Sequence, residues 1–275
     1  MQRIEMKQAQ TVWITGASSG IGEALALTYN AQGYHTILSA RRSEVLASLQ
    51  KRLAHPEHSY ILPLDLEQHE NAEVWTHQAL AFTGSIDILI NNAGLGHLGT
   101  VLEMDTAVER KVLEVNFWGA VALTKAVLPQ MIERNNGQIW TIASILGHFG
   151  SPKLAAYAAS KYAVIGYFES LQYELRSSAV HIGIVHPGFI NTAVTLNSLD
   201  PTGVPIQKNS VAQEKGMLPM VFARKFYNRT AKRRPSRHLF IGRYEILAVR
   251  FKRFFPNLFF SIYGKLTDVT RQKKN

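Results

Sequence analysis

Short runs of apolar residues alternate with longer amphipathic stretches along most of the chain. Runs that are apolar at nearly every position are typical of parallel strands, which helices cover on both faces of a sheet. Seven such runs predict strands at 11–15, 35–40, 60–66, 86–92, 137–144, 181–187 and 238–242. The amphipathic stretches between them, which include 21–33, 43–54 and 107–134, predict helices.

This regular alternation predicts an α/β fold of the Rossmann type, with a doubly wound, mostly parallel sheet of seven strands and right-handed crossovers. Gly33 follows the first helix, where a left-handed C-cap is favourable, and Ser43 is placed to cap the second helix. We expect an N-terminal tail at 1–10, a single domain at 11–243 and a C-terminal extension at 244–275.

One long segment, residues 191–219, departs from the alternation because it holds three prolines and many polar residues. Loops of this length are uncommon in compact domains unless they have a function or are mobile. The segment follows the sixth predicted strand, at the edge where open α/β sheets bind their ligands. We predict that this segment is a lid over the substrate, and an ordinary surface loop is the alternative that its composition also fits.

The composition excludes several kinds of chemistry. The 275 residues include no cysteine, so the chain forms neither disulfides nor thiolate metal sites and has no cysteine nucleophile. The ten histidines show no metal-ligand spacing and there is no GxSxG motif, so we expect neither a metal centre nor a serine hydrolase. The first residues lack the apolar core of a signal peptide, and no uninterrupted apolar run approaches the roughly 18 residues that cross a membrane. We therefore expect a cytoplasmic protein.

The first predicted strand runs directly into the sequence TGASSGIG, residues 15–22. Gly16, Gly20 and Gly22 would allow a tight turn, close approach of a pyrophosphate to the backbone, and tight packing of the helix on the strand. The helix N-terminus would add unpaired N–H groups and the positive end of its dipole. A glycine pattern that directly follows an apolar strand in a βαβ unit predicts a dinucleotide site.

The residues about twenty positions further on distinguish NAD from NADP, because an acidic side chain there would bind the 2′-hydroxyl of the adenosine ribose. Here the second strand ends in SARRSE, where Arg41 and Arg42 precede the first carboxylate, Glu44. A guanidinium can bond a 2′-phosphate through two donors, whereas a carboxylate would repel it. We predict NADP(H) as the cofactor, with Arg41 as the closer contact.

A tyrosine and a lysine lie four residues apart in the sequence YAASK, residues 157–161. Residues at this spacing are neighbours on one face of a helix, so Tyr157 and Lys161 should point the same way. Taken alone, the five residues are better explained by an ordinary amphipathic helix. Whether the pair carries chemistry depends on the rest of the chain.

The order of the motifs closely resembles the short-chain dehydrogenase/reductase family over roughly residues 11–192. Seven elements occur in the expected order, each on its expected strand or helix: TGASSGIG, DL at 65–66, NNAG at 91–94, Asn116, Ser144, YAASK and PGFINT at 187–192. Each element is a modest signal by itself. The complete ordered set is a strong one.

The resemblance implies a catalytic set of Asn116, Ser144, Tyr157 and Lys161. Tyr157 would be the general acid in carbonyl reduction, or the base in alcohol oxidation, and the Lys161 ammonium would lower its pKa. Ser144 would bond the substrate oxygen, and Lys161 would also hold the nicotinamide ribose. Asn116 would interrupt its helix and retain a water that links Lys161 to solvent.

The resemblance also implies the cofactor contacts. They are assigned to Gly16, Ser18, Ser19, Gly20, Ile21, Gly22, Arg41, Asp65, Leu66, Asn92, Ala93, Gly94, Tyr157, Lys161, Pro187, Gly188, Ile190 and Thr192. Asp65 would lie near the adenine, Asn92 near the ribose, and Pro187 and Gly188 would turn the chain towards the nicotinamide. Asn91 is expected instead to tie neighbouring strands together.

The sequence indicates the substrate less specifically than it indicates the cofactor. Ser144, Tyr157, His148 and Phe189 are expected to contact the substrate, in a pocket that is mostly apolar. The leading hypothesis is NADPH-dependent reduction of a lipophilic ketone or aldehyde. NADP-dependent alcohol oxidation, and a cofactor-binding sensor or scaffold without turnover, are the alternatives. The resemblance further implies a homodimer or homotetramer, formed through the helices that bear Asn116 and Tyr157.

Charge is distributed unevenly along the chain. Residues 221–275 hold 15 Lys and Arg against 2 Asp and Glu, a net of +13, whereas residues 1–220 have a net of −3. A segment this basic favours an anionic partner. Because no nucleic-acid recognition motif accompanies it, we expect no nucleic-acid partner.

The C-terminal extension, residues 244–275, is both basic and apolar. The apolar residues that can share one helical face are Leu247, Phe251, Phe254, Leu258 and Ile262. Pro256 must kink or divide such a helix. Two interpretations remain open: peripheral contact with an anionic membrane surface, or a helix that packs on the last strand or over the substrate cleft with its basic residues facing water.

Overall fold

The computed structural model describes residues 9–192, 197–207, 214–232 and 235–267. Most of the predicted N-terminal tail, parts of the predicted lid and the end of the predicted extension lie outside the described residues. Within them the chain forms one sheet of seven strands with helices on both faces, which confirms the predicted fold class.

All seven described strands pair in parallel. In chain order they are β1 (Thr11–Thr15), β2 (His35–Ser39), β3 (Ser59–Ile61), β4 (Ile88–Asn91), β5 (Gly137–Ile142), β6 (Val180–Pro187) and β7 (His238–Ile241). Their order in space is β3-β2-β1-β4-β5-β6-β7. The direction of winding reverses between β1 and β4, and this reversal places a ligand crevice at the carboxyl ends of those two strands.

One strand is shorter than its apolar run suggests. β3 ends at Ile61, although the run continues to residue 66. Pro63 costs no bond to β2, because its nitrogen faces the open edge of the sheet, where β3 is the last strand. Leu62 and Leu64, on either side of the proline, still donate to carbonyl groups at the end of β2 and just beyond it.

The described helices connect the strands and end the chain. They are α1 (Gly20–Ala31), α2 (Ser43–Gln50), α3 (Ala72–Thr83), α4 (Thr106–Leu113), α5 (Gly119–Glu133), α6 (Ala155–Glu174), α7 (Pro219–Thr230), α8 (Leu247–Phe254) and α9 (Pro256–Leu266). Gly33 has a φ of 83°, as predicted for a left-handed residue after α1. The predicted cap at Ser43 was wrong: α2 begins one residue earlier than expected, so Ser43 lies inside the first turn and Arg42 occupies the N-cap.

Two apolar clusters fill the two faces of the sheet. One packs α1 and α7 against the sheet and contains the buried rings of Tyr29, Trp140 and Phe226. The other packs α3, α5 and α6 on the opposite face and contains Trp13 and Phe168. Full burial of a phenylalanine such as Phe168 or Phe226 contributes about 1.5–3 kcal/mol to stability. β1 supplies residues to both clusters, as a strand covered on both faces must.

Pro256 divides the C-terminal extension into two helices, as predicted. It stands at the first position of α9, where a proline is tolerated because that N–H has no helical partner. The two helices pack back onto the domain through Val249 and Phe259. These side chains contact Ile145 and Phe149, which lie in the turn after β5.

The apolar face predicted from a single helical wheel does not form. Phe251 packs beside the buried residues of the extension, whereas the other four members of the predicted face are exposed: Leu247, Phe254, Leu258 and Ile262. The break at the proline changes the direction of the second helix, so one wheel cannot describe both.

The described parts of the predicted lid, residues 197–207 and 214–218, lie against loops at the carboxyl edge of the sheet. Leu199 forms an isolated parallel bridge with His97, and Met217 forms one with Ile190. Leu199 and Met217 are buried. The segment is therefore packed beside the ends of β4 and β6, and its movement as a lid stays a prediction.

Among the residues that the structure describes, one helical stretch, Thr106–Glu133, is long and apolar enough to cross a membrane by length and composition. It comprises α4, α5 and the turn between them. Val112, Leu123, Val127 and Met131 of this stretch are buried within the domain. A core helix of a globular domain meets the same criteria, so this stretch gives no argument for membrane insertion.

Candidate active site

The turn between β1 and α1 has the backbone shape expected of a phosphate-binding loop. Gly16 has a φ of 67° and Gly20 a φ of 58°, in the left-handed region that favours glycine. A Cβ on Gly16 would lie 2.8 Å from the Cα of Ala93, in the loop after β4. Only glycine therefore fits this close approach. α1 begins at Gly20, so its unpaired N–H groups end at the turn.

Gly22 serves packing rather than the cleft itself. A Cβ at this position would overlap the carbonyl oxygen of Gly16. The residue does not line the cleft described below. The third glycine of the motif therefore keeps α1 close to the turn.

A cleft of about 370 Å³ opens beside this turn, at the carboxyl ends of β1 and β4. The predicted cofactor residues that line it are Gly16, Ser18, Ser19, Gly20, Ile21, Arg41, Asp65, Leu66, Asn92, Ala93, Gly94, Tyr157, Lys161, Pro187, Gly188, Ile190 and Thr192. Ser144 lines it as well. The lining residues that the sequence analysis missed are Ala40, Arg42, Leu64, Leu95, Gly96, Val115, Ile142, Ala143 and Asn197. Most of the missed residues are sequence neighbours of predicted ones, and Asn197 belongs to the predicted lid.

Arg41 stands at one end of the cleft with an exposed side chain. Its guanidinium lies 3.9 Å from the carboxylate of Glu67, which also pairs with Lys111 at 2.8 Å. An exposed pair at the longer distance contributes little, so Arg41 is free to reorient. Asp65 lies nearby and accepts a hydrogen bond from the Glu67 N–H at 3.2 Å, which caps the helical turn after β3.

Two asparagines tie the end of β4 to its surroundings. The Asn91 amide donates to the hydroxyls of Thr124 at 2.9 Å and Thr141 at 3.4 Å, so it links β4 to α5 and β5. Asn91 thus has the structural role expected of it. The Asn92 amide donates to the carbonyl of Thr15 at 2.9 Å, and this bond joins the loop after β4 to the glycine turn.

The helix that carries Asn116 is interrupted, as predicted. Residues Glu114–Trp118 form one π-helical turn between α4 and α5. The buried Asn116 side chain accepts from the Leu95 N–H at 2.6 Å and donates to the Leu95 carbonyl at 2.9 Å. It also donates to the Ser160 hydroxyl at 3.0 Å. Asn116 does not line the cleft, but it connects the loop after β4 to α6 beside Lys161.

Ser144 follows β5 and begins the next turn. Its Oγ accepts from the Leu146 N–H at 3.1 Å, which caps a short 3-10 helix, Ile145–Gly147. The residue is buried, and its hydroxyl is hydrogen-bonded to the Tyr157 phenol. The backbone contact and the phenol together fix the orientation of this hydroxyl.

Tyr157 and Lys161 share one face of α6, as their spacing predicts. The Lys161 Nζ lies 5.6 Å from the centroid of the Tyr157 ring. Lys161 is buried, and its Nζ donates to the Ile142 carbonyl at 2.9 Å. Burial lowers the pKa of Lys161 to about 8, because a low-dielectric environment disfavours the ammonium.

The predicted lowering of the Tyr157 pKa is not what the structure shows. Burial raises the pKa of the phenol, and the hydrogen bond with Ser144 opposes this rise in part. The Lys161 ammonium does not offset burial, since it is directed at the Ile142 carbonyl and is itself disfavoured there. The Tyr157 hydroxyl therefore keeps its proton near neutral pH, as a proton donor must.

The ordered motifs and the geometry of the cleft correspond to a known family. A family profile described as short chain dehydrogenase matches residues 10–201, which is well over half of the chain. The chain belongs to the short-chain dehydrogenase family. This finding confirms the resemblance in the sequence, and the family's members are oxidoreductases that bind a nicotinamide cofactor.

Two relatives of this short-chain dehydrogenase match nearly its whole length. The dehydrogenase/reductase SDR family protein 7-like of Drosophila melanogaster is 35% identical over 264 residues, which cover 93% of this chain and 80% of that protein. The dehydrogenase/reductase SDR family member 7B of Xenopus laevis is 35% identical over 266 residues, which cover 93% of this chain and 81% of that protein.

Solved structures of similar proteins agree with the fold. A short-chain dehydrogenase from Streptomyces avermitilis matches with a TM-score of 0.80 at 27% identity, over 98% of this chain and 99% of its own. A metagenomic short-chain oxidoreductase in complex with NADP matches with a TM-score of 0.71 at 26% identity, over 84% of this chain and 96% of its own. A Burkholderia phymatum protein in complex with NAD matches with a TM-score of 0.81, over 92% and 96%, but at 24% identity it supports the fold alone.

Two residues expected to contact substrate in this dehydrogenase do not line the cleft. The His148 ring bonds His186 of β6 and borders a second cavity beneath α8. The Phe189 side chain is exposed, and its N–H donates to Glu245. Position next to a motif does not determine the direction of a side chain, and contact of these two residues with substrate stays a prediction.

The structure also brings together three residues whose spacing was not taken as a metal signal. The ligand atoms of His55, Glu57 and His58 all lie within 4.8 Å of one another. They lie just before β3, are largely exposed, and do not line the cleft. This group therefore lies outside the candidate active site.

Proposed function

We propose that this short-chain dehydrogenase reduces a ketone or an aldehyde with NADPH and that Tyr157 donates the proton. The observation that carries the proposal is the meeting of Ser144, Tyr157 and Lys161 in the cleft beside the glycine turn. Two hydroxyls bonded to each other beside a buried ammonium can orient and protonate a substrate oxygen. A protein that only binds the cofactor has no need of this set.

The residues of the cleft fit a dinucleotide. Gly16 and Gly20 leave open a cradle that side chains would fill, and the N-terminus of α1 directs N–H groups and a positive dipole towards phosphates. Arg41 and Asp65 would hold the adenosine end, and Lys161 would hold the ribose of the nicotinamide end. Bound NADPH supplies the hydride that the carbonyl carbon receives.

The chain's own residues handle the proton. Ser144 orients the substrate oxygen, and Tyr157 transfers the proton of its phenol to that oxygen. Because the pKa of Tyr157 is raised, the phenol is fully protonated at neutral pH before transfer. Lys161 then stabilises the phenolate. The π-helical turn at Asn116 would hold the water through which Lys161 exchanges a proton with solvent.

The preference for NADP(H) rests on the end of β2. Arg41 and Arg42 both line the cleft there, and neither is held in a short ion pair. A mobile guanidinium can turn to a 2′-phosphate and bond it through two donors. The similar structures include complexes with both NADP and NAD, so the preference of this chain depends on its own residues.

The test of this function is a panel of ketones and aldehydes of increasing chain length, assayed by the absorbance of NADPH and of NADH. We expect turnover with NADPH and a clear preference for it over NADH. Arg41→Ala is expected to lower kcat/KM for NADPH by about 10- to 100-fold, because hydrogen bonds to a charged group contribute about 1.5–3 kcal/mol. The value for NADH should not change.

The matched control for this prediction is Arg176→Ala, an exposed arginine beyond the end of α6 that does not line the cleft. This substitution should leave kcat/KM unchanged for both NADPH and NADH. Equal kcat/KM with NADPH and NADH, unchanged in Arg41→Ala, would refute the NADP preference. Cofactor binding without turnover on any carbonyl compound would favour the sensor alternative.

We infer that the substrate is lipophilic. The turn that begins at Ser144 continues into Ile145 and Phe149, which the C-terminal helices cover through Val249 and Phe259. The catalytic serine is thus bordered by an apolar layer rather than by polar loops. Activity should accordingly increase with the chain length of the ketone in the same panel.

We also infer that α8 and α9 contact an anionic membrane surface. Their exposed apolar side chains are Leu247, Phe254, Leu258, Phe260, Ile262 and Leu266. The same helices carry Arg250, Lys252, Arg253 and Lys265, and residues 246–267 contain no acidic residue. Exposed apolar rings beside uncompensated cations suit the boundary between lipid headgroups and acyl chains.

Vesicle cosedimentation tests this contact. We expect the protein to sediment with phosphatidylserine-containing vesicles at low salt and to remain largely in solution with neutral phosphatidylcholine vesicles. The double variant Phe254→Ser, Phe260→Ser should bind at least about tenfold more weakly, because it removes two exposed rings. Point substitutions are preferable to truncation, since α8 and α9 cover Ile145 and Phe149.

The control for the vesicle test is the double variant Val101→Ser, Leu102→Ser, which removes two exposed apolar residues elsewhere. It should bind like the wild type. Equal sedimentation with neutral and anionic vesicles, or none with either, would refute the membrane contact.

We also infer from the family that the protein is a homodimer or a homotetramer. Trp118 and Tyr162 offer exposed rings for such an interface. The molecular mass of the protein in solution, measured by analytical ultracentrifugation without vesicles, tests this inference.

A further inference from the structure

Three histidines from three parts of the sheet edge form a continuous chain outside the cleft. His148 Nε2 lies 3.0 Å from His186 Nδ1, and His186 Nε2 lies 3.1 Å from His238 Nδ1. At the outer end, Oε1 of Glu169 on α6 lies 3.6 Å from His238 Nε2. This histidine chain joins the turn that Ser144 begins to β6, β7 and α6.

The middle ring of the histidine chain is enclosed, whereas His148 and His238 at its two ends are partly exposed. His186 has no exposed surface, and its ring stacks on Phe240 with 4.4 Å between centroids and 16° between planes. The planes of the His186 and His238 rings differ by 6°, and those of His148 and His186 by 47°. His186 immediately precedes Pro187, which lines the cleft. His186, the middle member of the histidine chain, is therefore adjacent in sequence to a residue that lines the cleft.

The end groups determine which nitrogen of each ring carries a proton. A neutral imidazole offers one N–H and one acceptor, whereas the Glu169 carboxylate only accepts. Its negative charge favours an N–H at His238 Nε2, so His238 Nδ1 accepts. His186 must then donate from Nε2 and accept at Nδ1 from His148 Nε2. All three rings are therefore neutral and protonated at Nε2.

Burial and the charged groups around the histidine chain disfavour the addition of a proton to any of its three neutral rings. Burial, followed by the charges of His238 and of Lys252 and Arg253 on α8, lowers the pKa of His148 to about 4. Burial also lowers the pKa of His186 and of His238, and Glu169 opposes the effect at His238. A proton added to His186 would place an N–H against another N–H in a site without water access.

We propose that the histidine chain positions the active site, by holding the turn from Ser144 to His148 against the end of β6 for as long as all three rings are neutral. Ser144 and Pro187 border the cleft from adjacent strands, and the bond between His148 and His186 links the two segments that carry them. Breaking this bond releases the turn and moves the Ser144 hydroxyl relative to Tyr157. His148 and His186 are thus positioning residues.

The pH dependence follows from the lowered pKa of His148. This pKa falls from 6.5 in the unfolded chain to about 4 in the folded chain, so the folded chain favours the neutral ring. The resulting stabilisation is complete above pH 6.5, declines as the pH falls and is lost as it passes about 4. In the folded protein His148 takes up a proton only as the pH approaches about 4, so we expect the turn to loosen, and turnover to fall, near that pH.

The first experiment is nitrogen NMR of the wild-type protein labelled with ¹⁵N at histidine. Two-bond couplings between ring nitrogens and carbon-bound protons distinguish the tautomers and the charged form. We expect His148, His186 and His238 to be neutral and protonated at Nε2 at pH 7. A charged ring, or a proton at Nδ1 of His186, would overturn the proposal. This result does not depend on turnover, so it stands apart from the proposed reductase function.

The second experiment uses that reductase function. His148→Leu removes the donor, whereas His148→Gln retains an N–H near the position of Nε2. We expect kcat to fall about tenfold in His148→Leu, with KM for NADPH unchanged, and to recover in His148→Gln. In the wild type, kcat should decrease at low pH as His148 is protonated. In His148→Gln this decrease should begin at a lower pH, since glutamine does not titrate.

The control is His77→Leu, an exposed histidine on α3. It should leave kcat and its pH profile unchanged. Wild-type kcat in His148→Leu, together with an unchanged acid limb in His148→Gln, would refute the positioning role. If His148→Leu fails to fold, the tautomers in the wild type and the pH profile of His148→Gln still decide the question.

Discussion

The substitution Tyr157→Phe is expected to lower kcat for NADPH-dependent ketone reduction by about 10³-fold, within the range that general acid catalysis supplies. It removes one oxygen and keeps the ring, so the packing of α6 is preserved. Ser144 loses the phenol as a partner but is still held by the Leu146 N–H. NADPH binding, measured by fluorescence titration, should change by no more than about twofold, because the other residues of the cleft remain.

The matched control is Tyr162→Phe, on the same helix. Tyr162 is exposed, and its hydroxyl accepts from Lys252 at 3.4 Å rather than facing the cleft. This variant should keep full activity. If Tyr157→Phe keeps more than about a tenth of the wild-type kcat, the phenol is not the proton donor.

The sequence predicted most of the fold and most of the cofactor cleft because both depend on local patterns. An apolar run such as 11–15 identifies a buried parallel strand, and the glycines that follow it identify the turn into α1. Once β1 and β4 are placed, parallel pairing brings their carboxyl ends to one edge. Residues as distant as Gly16, Asn92 and Tyr157 then meet without further information.

The direction of individual side chains was beyond the reach of these patterns. His148 follows a catalytic motif in sequence, yet its ring turns to His186, which lies 38 positions further along the chain. His186 and His238 are 52 positions apart. No local periodicity connects such residues, since the contact exists only after β5, β6 and β7 have paired. The sequence offered one weak indication of this contact, since His186 lies near the end of a predicted strand and His238 begins the next one.

The error on the Tyr157 pKa has a related cause. Spacing on a helix shows that Tyr157 and Lys161 are neighbours, and from this we expected the ammonium to lower the pKa of the phenol. Desolvation depends on everything that surrounds the two groups, which no five-residue motif contains. Burial acts on both, raising one pKa and lowering the other.

Lys161 is a residue at which stability and function conflict. Its pKa falls from 10.5 in the unfolded chain to about 8 in the folded chain, so the folded chain binds this proton more weakly. The resulting destabilisation is complete below pH 8 and disappears as the pH rises from about 8 to 10.5. The hydrogen bond to the Ile142 carbonyl offsets part of it. A buried ammonium kept at this cost indicates a role in the chemistry.

Lys161→Met is therefore expected to lower kcat/KM for NADPH-dependent reduction by about 10²- to 10³-fold while leaving Tm unchanged or higher. Methionine has a similar length and no charge, so it removes the desolvation cost together with the ammonium. The wild type should lose activity as the pH rises through about 8, where Lys161 gives up its proton, and the residual activity of Lys161→Met should not show this limb. Lys125→Met, at an exposed position of α5, is the control for thermal denaturation and kinetics. A strong decrease in Tm would show that Lys161 acts mainly in folding, and a wild-type kcat/KM would exclude it from the reaction.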